Sequence, residues 1–273
     1  MHKAKVCKAA IYFVLSILFL VNLFPFWWVL NTSFRDNTAV FTNTLGLPDS
    51  LNFENYIKAW DIGNFRQYFV NTFITVALTL LICIIFASMA AYVSARIWKS
   101  VFLYGFLSLG LMVPTHVLLI PEKVILQTLN LTQSRLGITL VYIAVNFSFS
   151  FFIIYTSMLT VPKELEEAAA IDGASRVRTF FTIVLPIVKP GLATASVMLC
   201  YTAWNEYLLP LCIVTNNNLK MLSQGLNELK GQYGMDYGLM TAGIVITVIP
   251  IVLIYTFLQK YIVAGVTSGA VKG

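Results

Sequence analysis

Charged residues are scarce in this sequence. Only 11% of its 273 residues are Asp, Glu, Lys or Arg, whereas 58% are hydrophobic. The mean hydropathy is +0.79. A soluble domain carries about 25% charged residues. This composition therefore excludes an ordinary soluble protein and indicates an integral membrane protein.

Residues that bind metals or form disulfides are also few. The four cysteines are scattered, without the CxxC spacing of a zinc site. Only two histidines, His2 and His116, are present. We therefore expect no metal site, and we expect the cysteines to serve as small apolar residues.

Long apolar runs are what the sequence has instead. A transmembrane helix needs about 20 apolar residues. Six runs reach this length, at about residues 9–34, 67–95, 100–121, 136–160, 190–211 and 237–259. The fifth run contains a single charged residue, Glu206. The sequence thus predicts an all-α polytopic membrane protein, in which residues 1–273 form a single domain with six transmembrane helices.

The distribution of charge predicts how the chain is oriented. An even number of spans places both termini on one side of the membrane. That side holds 11 of the 18 Lys and Arg residues but only 4 of the 12 acidic residues. The positive-inside rule makes it the cytoplasmic side. On the opposite side, the long loop 35–66 contains a segment, 53–60, that looks like a short amphipathic helix.

One cytoplasmic segment, residues 161–189, has helix signals of its own. Pro162 suits the first position of a helix, and glutamates in the first turns favour its positive end. Gly173 can adopt the positive φ that ends a helix. A second short helix is predicted to end at Leu185-Pro186 and to present an apolar face formed by Val177, Phe180, Phe181 and Val184. A simple connection needs only 4–6 residues, so this helix–turn–helix indicates docking to a partner. The alternative is a helix pair that rests on lipid.

The same segment carries a recognisable motif. Glu167-Ala168-Ala169 is followed after three residues by Gly173, and nine residues later by Ile183-x-Leu185-Pro186. This pattern resembles the EAA motif of ABC importer permeases, and the longer string 166–174 resembles the carbohydrate-importer branch. Residues 204–207 and the tail 265–273 are similar to those of maltose-importer permeases. The resemblance covers essentially the whole chain.

The resemblance implies a type I ABC importer permease fold with a cytoplasmic coupling-helix pair. It assigns ATPase coupling to Glu166, Glu167, Ala168, Ala169, Asp172, Gly173, Ile183, Leu185 and Pro186. Glu167 would pair with a basic or polar group of the ATPase, and the two alanines would allow close approach. The C-terminal tail, residues 260–273, would reach the ATPase pair, with a frayed terminus as the alternative.

The resemblance also implies a set of partners. They are a second, different permease subunit, two ATPase subunits that hold ATP and Mg²⁺, and an extracytoplasmic solute-binding protein. The sequence contains no GxxxxGK[ST] pattern, so this chain lacks a P-loop and is expected to be non-catalytic, without a cofactor of its own. Its expected location is a bacterial or archaeal cell membrane, with both termini in the cytoplasm. We expect no nucleic-acid partner.

Polar groups within the spans are candidates for a solute pathway. They are Asn146, Trp204, Asn205 and Glu206. A charge in the bilayer usually faces a cavity or a partner. Amides and carboxylates can bond sugar hydroxyls, and aromatic faces can cover apolar C–H patches. These residues could instead only join helices. The expected solute is a carbohydrate, most simply an oligosaccharide. Alternatives are a permease for a polyamine, phosphate or peptide, an ion-coupled secondary transporter, and a membrane-embedded enzyme.

Overall fold

The computed structural model describes residues 2–98, 101–231 and 234–270, with side chains for residues 5, 7–98, 101–230 and 235–256. The α-helices in chain order are α1 (His2–Ser33), α2 (Asn37–Thr42), α3 (Glu54–Ile62), α4 (Phe65–Tyr92), α5 (Val101–Leu109), α6 (Leu119–Thr128), α7 (Arg135–Leu159), α8 (Lys163–Ile171), α9 (Arg176–Thr179), α10 (Leu185–Ile187), α11 (Lys189–Asn205), α12 (Leu208–Ile213), α13 (Leu222–Glu228) and α14 (Tyr237–Ala270).

Shorter elements join these helices. π-Helical segments at Val93–Ile97 and Phe180–Val184 follow α4 and α9. 3-10 turns occupy Thr115–Leu118 and Asn217–Leu219. Strands β1 (Lys230–Gly231) and β2 (Gly234–Met235) pair antiparallel, with Lys230 opposite Met235. The all-α class predicted from the sequence is confirmed.

Several helices are suited to a bilayer. In the part of the chain that the structure describes, four helices are long and apolar enough to cross a membrane: Cys7–Ser33, Phe65–Ile97, Arg135–Leu159 and Tyr237–Thr256. A fifth crossing results if the bent pair Arg176–Ile187 and Lys189–Asn205 counts as one span. These helices fall on five of the six predicted runs, so a multi-span membrane protein is confirmed, whereas the count of six is not.

The third predicted span, residues 100–121, is not one helix. It is divided among α5, the turn Thr115–Leu118 and the start of α6. Pro114, which has no N–H to donate, takes an extended conformation (φ −63°, ψ 119°) just before the turn. The prediction of an unbroken helix there is wrong because an absence of charge does not reveal an interruption of the backbone.

The chain divides into two compact units. The first consists of Met1–Arg66 and Gly225–Ile249. Within it, Asn55 donates hydrogen bonds to the carbonyls of Ser33 and Arg35 over 3.0 and 2.9 Å. The amphipathic segment predicted at 53–60 corresponds to α3, from which Asn55 and Ala59 are buried. None of the residues in the most apolar stretch of α1 is buried within the chain.

The second unit consists of Gln67–Gln224 and Pro250–Gly273. Here α7 packs against α11 at a close approach, because a Cβ on Gly191 would collide with the Ser157 side chain. Small residues allow membrane helices to approach in this way. Buried residues of its core include Ala87, Ala91, Tyr92, Phe151, Ile154, Met158, Phe180, Val184 and Ala195.

The C-terminal tail, 260–273, carries a predicted role that the structure does not describe. The backbone of α14 continues to Ala270, while the side chains from 257 onward and residues 271–273 lie outside the described residues. Contact of the tail with an ATPase therefore stays a prediction.

Candidate coupling segment and translocation cavity

The segment 161–189 forms two helical arms joined by a glycine turn. Pro162 is the residue before the first arm and not its first residue, since α8 begins at Lys163. Asp172 ends that helix, and Gly173 follows with a φ of +77°. The side chain of Ser175 accepts a hydrogen bond from the Arg178 N–H and caps the second arm. Local signals in the sequence therefore account for this geometry.

The second arm is longer than predicted. It runs from Arg176 to Ile187, and the chain then bends by 76° into α11. Leu185-Pro186 does not end the arm, which corrects the expectation. Pro186 lies just after the π-helical segment Phe180–Val184 and one residue before the end of the arm.

The predicted coupling residues divide into an outward and an inward group. Glu167, Ala168, Asp172, Gly173 and Pro186 are exposed, Glu166, Ile183 and Leu185 are half-buried, and Ala169 is buried. The apolar face of the second arm is divided as well. Phe180 and Val184 join the core, whereas Val177 and Phe181 are exposed.

We expect Gly173→Val to loosen the turn between the arms. A β-branched residue at φ +77° suffers left-handed strain of roughly 1–2 kcal/mol. A Cβ at this position would meet no described atom within 4 Å, so strain and not collision would cause the effect. Hydrogen exchange of residues 163–176 should become faster in the valine variant.

Gly173→Asn is the matched control for this substitution. Asparagine tolerates a positive φ far better than valine does, so its exchange should stay near that of the wild type. Equal exchange in the valine and asparagine variants would contradict the role assigned to backbone conformation.

A cavity of about 470 Å³ lies among α7, α11 and the turn Thr115–Leu118. Aromatic and apolar side chains, among them Phe149 and Met198, form part of its wall. Its polar lining comprises Thr115, His116, Tyr142, Asn146, Tyr201, Thr202, Asn205 and Glu206. The structure thus brings three of the four predicted pathway residues to one place.

Trp204 is the predicted pathway residue that does not line the cavity. It is buried, and its ring meets that of Phe69 edge-on at a centroid distance of 5.7 Å. Adjacent residues of a helix point in different directions, which separates Trp204 from Asn205. Its position favours a packing role.

Glu206 lies at a helix end and not inside a continuous span. The helix α11 stops at Asn205, and Glu206 is extended (φ −66°, ψ 124°). Its Oε1 accepts a hydrogen bond from the Leu209 N–H over 3.0 Å, which caps the start of α12. The apolar residues on both sides of Asn205-Glu206 led to the prediction of one continuous span.

His116 is a cavity residue that the sequence alone did not identify. Its Nε2 lies 3.8 Å from Oε2 of Glu206. The two residues meet because the third apolar run and α11 are both interrupted at the cavity. The glycine and proline at Gly110 and Pro114 were the available signal, since broken membrane helices often mark binding sites.

Hydroxyl and amide groups supply further polarity. The Thr202 hydroxyl donates to Oδ1 of Asn146 over 2.5 Å. The buried hydroxyl of Tyr142 has no hydrogen-bond partner among the described residues. Glu122 lies beyond the third predicted span, where burial and, to a lesser extent, the negative charge of Glu206 raise its pKa to about 7. Glu122 is not among the described lining residues of the cavity, so Glu206 is the only Asp or Glu among them.

Comparison with solved structures identifies the class of fold. The chain aligns with a chain of a bacterial ABC transporter that imports the acidic polysaccharide alginate, with a TM-score of 0.84 and 21% identity. The alignment covers 96% of this chain and 98% of that one. A chain of the MetNI methionine ABC transporter aligns with a TM-score of 0.56 and 16% identity over 74% of this chain and 94% of that one. The fold is that of an ABC importer permease.

Sequence comparison gives the family. Residues 83–268 match the family described as "Binding-protein-dependent transport system inner membrane component", and the chain belongs to it. The diacetylchitobiose uptake system permease protein NgcG of Streptomyces coelicolor is 34% identical over 270 residues, which are 97% of this chain and 89% of that protein.

Two other relatives are also named for sugar transport. The arabinooligosaccharides transport system permease protein AraQ of Halalkalibacterium halodurans is 31% identical, covering 93% of this chain and 92% of the relative. The melibiose/raffinose/stachyose import permease protein MelC of Bacillus subtilis is 30% identical, covering 94% of each chain. The resemblance drawn from the EAA motif is confirmed.

Proposed function

We propose that this chain is one of two transmembrane subunits of an ATP-driven importer and forms half of the pathway for a carbohydrate, most simply an oligosaccharide. The main support is the cavity beside the turn Thr115–Leu118 and the helix end at Glu206, where amide, hydroxyl and carboxylate groups lie beside aromatic rings. Relatives named for chitobiose, arabino-oligosaccharide and raffinose uptake support the same class of solute.

The helix breaks support a pathway at this position. Irregular backbone at membrane depth is tolerated only where it is buried in protein or lines a cavity. The turn Thr115–Leu118 and the break at Glu206 both border the cavity. The backbone irregularity is therefore concentrated where a solute would need polar surroundings.

The lining suits a sugar better than an ion. Asn146, Asn205 and Thr202 offer donors and acceptors, while the ring faces of Tyr201 and Phe149 suit apolar C–H surface. An ion-coupled transporter needs a series of charges along its path. In the described lining of this cavity, Glu206 is the only Asp or Glu.

The exposed side of the coupling segment supports docking to an ATPase. Ile171 is 87% exposed and lies one turn after the exposed Glu167 on the same helix, and Val177 of the second arm is 67% exposed. Exposed apolar residues grouped on a cytoplasmic segment are typical of an interaction surface. We infer that this segment enters a cleft of the ATPase, and that ATP and Mg²⁺ are held by the ATPase subunits and not by this chain.

The mechanism follows from these two sites. ATP-driven closure of the ATPase pair pushes the coupling segment and moves the spans from an inward-facing to an outward-facing arrangement. An external binding protein then delivers the sugar, and hydrolysis restores the first state. Both termini lie in the cytoplasm in this proposal, and the protein resides in the cell membrane.

The complete importer, purified with its ATPase, second permease and binding protein, tests the function. We expect ATP-dependent uptake of an oligosaccharide into proteoliposomes and recovery of that sugar from the binding protein. Recovery of a peptide or polyamine, with no sugar uptake, would contradict the carbohydrate assignment.

Asn146→Leu tests the cavity itself. Loss of about one hydrogen bond to the solute should lower uptake about tenfold at saturating binding protein. Thr156→Val is the matched control, because Thr156 lies on the same helix outside the cavity lining and its hydroxyl donates to the Ile153 carbonyl of that helix. Equal uptake by both variants would remove Asn146 from the pathway.

A further inference from the structure

Arg96 is a nearly buried arginine at the end of the helix that begins with α4. It lies in the π-helical segment Val93–Ile97, and its side chain is only 7% exposed. Its Nη2 donates to the carbonyls of Met158 and Val161 over 2.6 and 2.5 Å. Arg96 therefore binds both the last turn of α7, through Met158, and the first residue of the coupling segment, Val161.

The partner of this arginine is Glu166 of the first coupling arm. The Nε atom of Arg96 and Oε1 of Glu166 form an ion pair at 3.1 Å, without the alignment of a hydrogen bond. The Glu166 side chain is 17% exposed. A buried arginine without a counter-ion is strongly destabilising. Glu166 thus neutralises a charge of its own chain, and it is turned away from the solvent that surrounds Glu167.

Tyr92, one turn before Arg96, connects the same helix to both arms. Its hydroxyl donates to Oε2 of Glu166 over 3.2 Å. Its ring lies 5.0 Å from that of Phe180 in the second arm. The residues Tyr92, Arg96 and Glu166, which we call the arginine clamp, therefore fasten the end of one membrane helix to the whole coupling segment.

Two π-helical turns meet at the arginine clamp. Arg96 belongs to one of them, and Phe180 begins the other. Such turns are rare and are found frequently at functional sites. Apolar packing alone would suffice to hold two helices together. The directional bonds of Arg96 and Tyr92 in addition fix the angle at which the coupling segment leaves the membrane helices.

We propose that Arg96 is a positioning residue for energy coupling, which acts through Glu166 to make the coupling segment and the membrane helix Phe65–Ile97 move as one body. This inference rests on the proposed function of the chain as an importer permease. It changes the role of Glu166 from a contact with the ATPase to an internal link. Movement of the ATPase acts on the side of the coupling segment that exposes Glu167. The arginine clamp transmits this movement to the membrane helix Phe65–Ile97.

The test measures sugar transported per ATP hydrolysed by the complete importer in proteoliposomes. Arg96→Met and Glu166→Gln should each assemble with the ATPase and hydrolyse ATP, but transport about tenfold less sugar per ATP, within the usual range of coupling between sites. The double variant should do no worse than either single variant, because one link is removed in all three.

Glu164→Gln serves as the control, because Glu164 is exposed on the same helix and takes no part in the arginine clamp. A normal ratio of sugar to ATP in Glu166→Gln would overturn the proposal. So would losses that multiply in the double variant. If either single variant fails to assemble, the double variant decides, since it removes both charges together and leaves neither of them buried without a partner. Absence of ATP-dependent uptake by the wild type would instead refute the function on which the proposal rests.

Discussion

Glu167→Lys is expected to reduce ATP-driven uptake at least tenfold while the chain keeps its fold. Glu167 is exposed on α8, and it forms no ion pair within the described residues. Its replacement therefore disturbs nothing inside the chain. In the proposed complex it faces a basic or polar group of the ATPase. Reversal of its charge replaces attraction by repulsion, and juxtaposed like charges at an interface cost several kcal/mol.

Two measurements test this expectation together. The amount of ATPase that co-purifies with the tagged permease should fall, and uptake should fall with it. Glu167→Gln should lie between the wild type and the lysine variant, because it removes the attraction without adding repulsion. An unchanged melting temperature would show that the fold persists. Normal co-purification with normal uptake in the lysine variant would refute the docking role of Glu167.

Gly191→Ala is expected to destabilise the second unit by about 1–3 kcal/mol, the usual cost of overpacking. A Cβ at this position would collide with the hydroxyl and the Cβ of Ser157. The packing of α7 against α11 depends on this close approach, and a lower melting temperature of the purified protein would report the loss. Gly191→Leu should be worse and should reduce the yield of folded protein.

Two companion variants separate collision from a general effect of alanine. Ser157→Gly combined with Gly191→Ala should recover most of the lost stability, because it removes the Ser157 side chain with which the new Cβ would clash. Gly105→Ala should be close to neutral, since a Cβ there would meet no described atom within 4 Å. Equal destabilisation at Gly105 and Gly191 would show that the helix contact is not the cause.

Features set by neighbouring residues could be predicted from the sequence. The apolar runs located four long helices because lipid selects apolar residues along a whole span. The turn at Gly173 was predictable because few residues other than glycine adopt its φ of +77°. The EAA spacing likewise identified the family, since it reflects a local helix–turn–helix.

Features that depend on tertiary contact were not predictable. Glu166 and Arg96 are 70 positions apart in sequence, and no periodicity connects them. The same holds for His116 and Glu206, which meet only because two helices are interrupted. The family resemblance assigned Glu166 to ATPase coupling, and nothing in the sequence indicated that its counter-ion, Arg96, lies on another helix.

No residue in the most apolar stretch of α1 is buried within its own chain. A helix in lipid satisfies its backbone hydrogen bonds internally. This stretch can therefore insert and remain helical during synthesis, before the remainder of the chain has emerged. Evolution can also alter it without repacking a core. Its sequence is therefore constrained chiefly by the thickness of the bilayer.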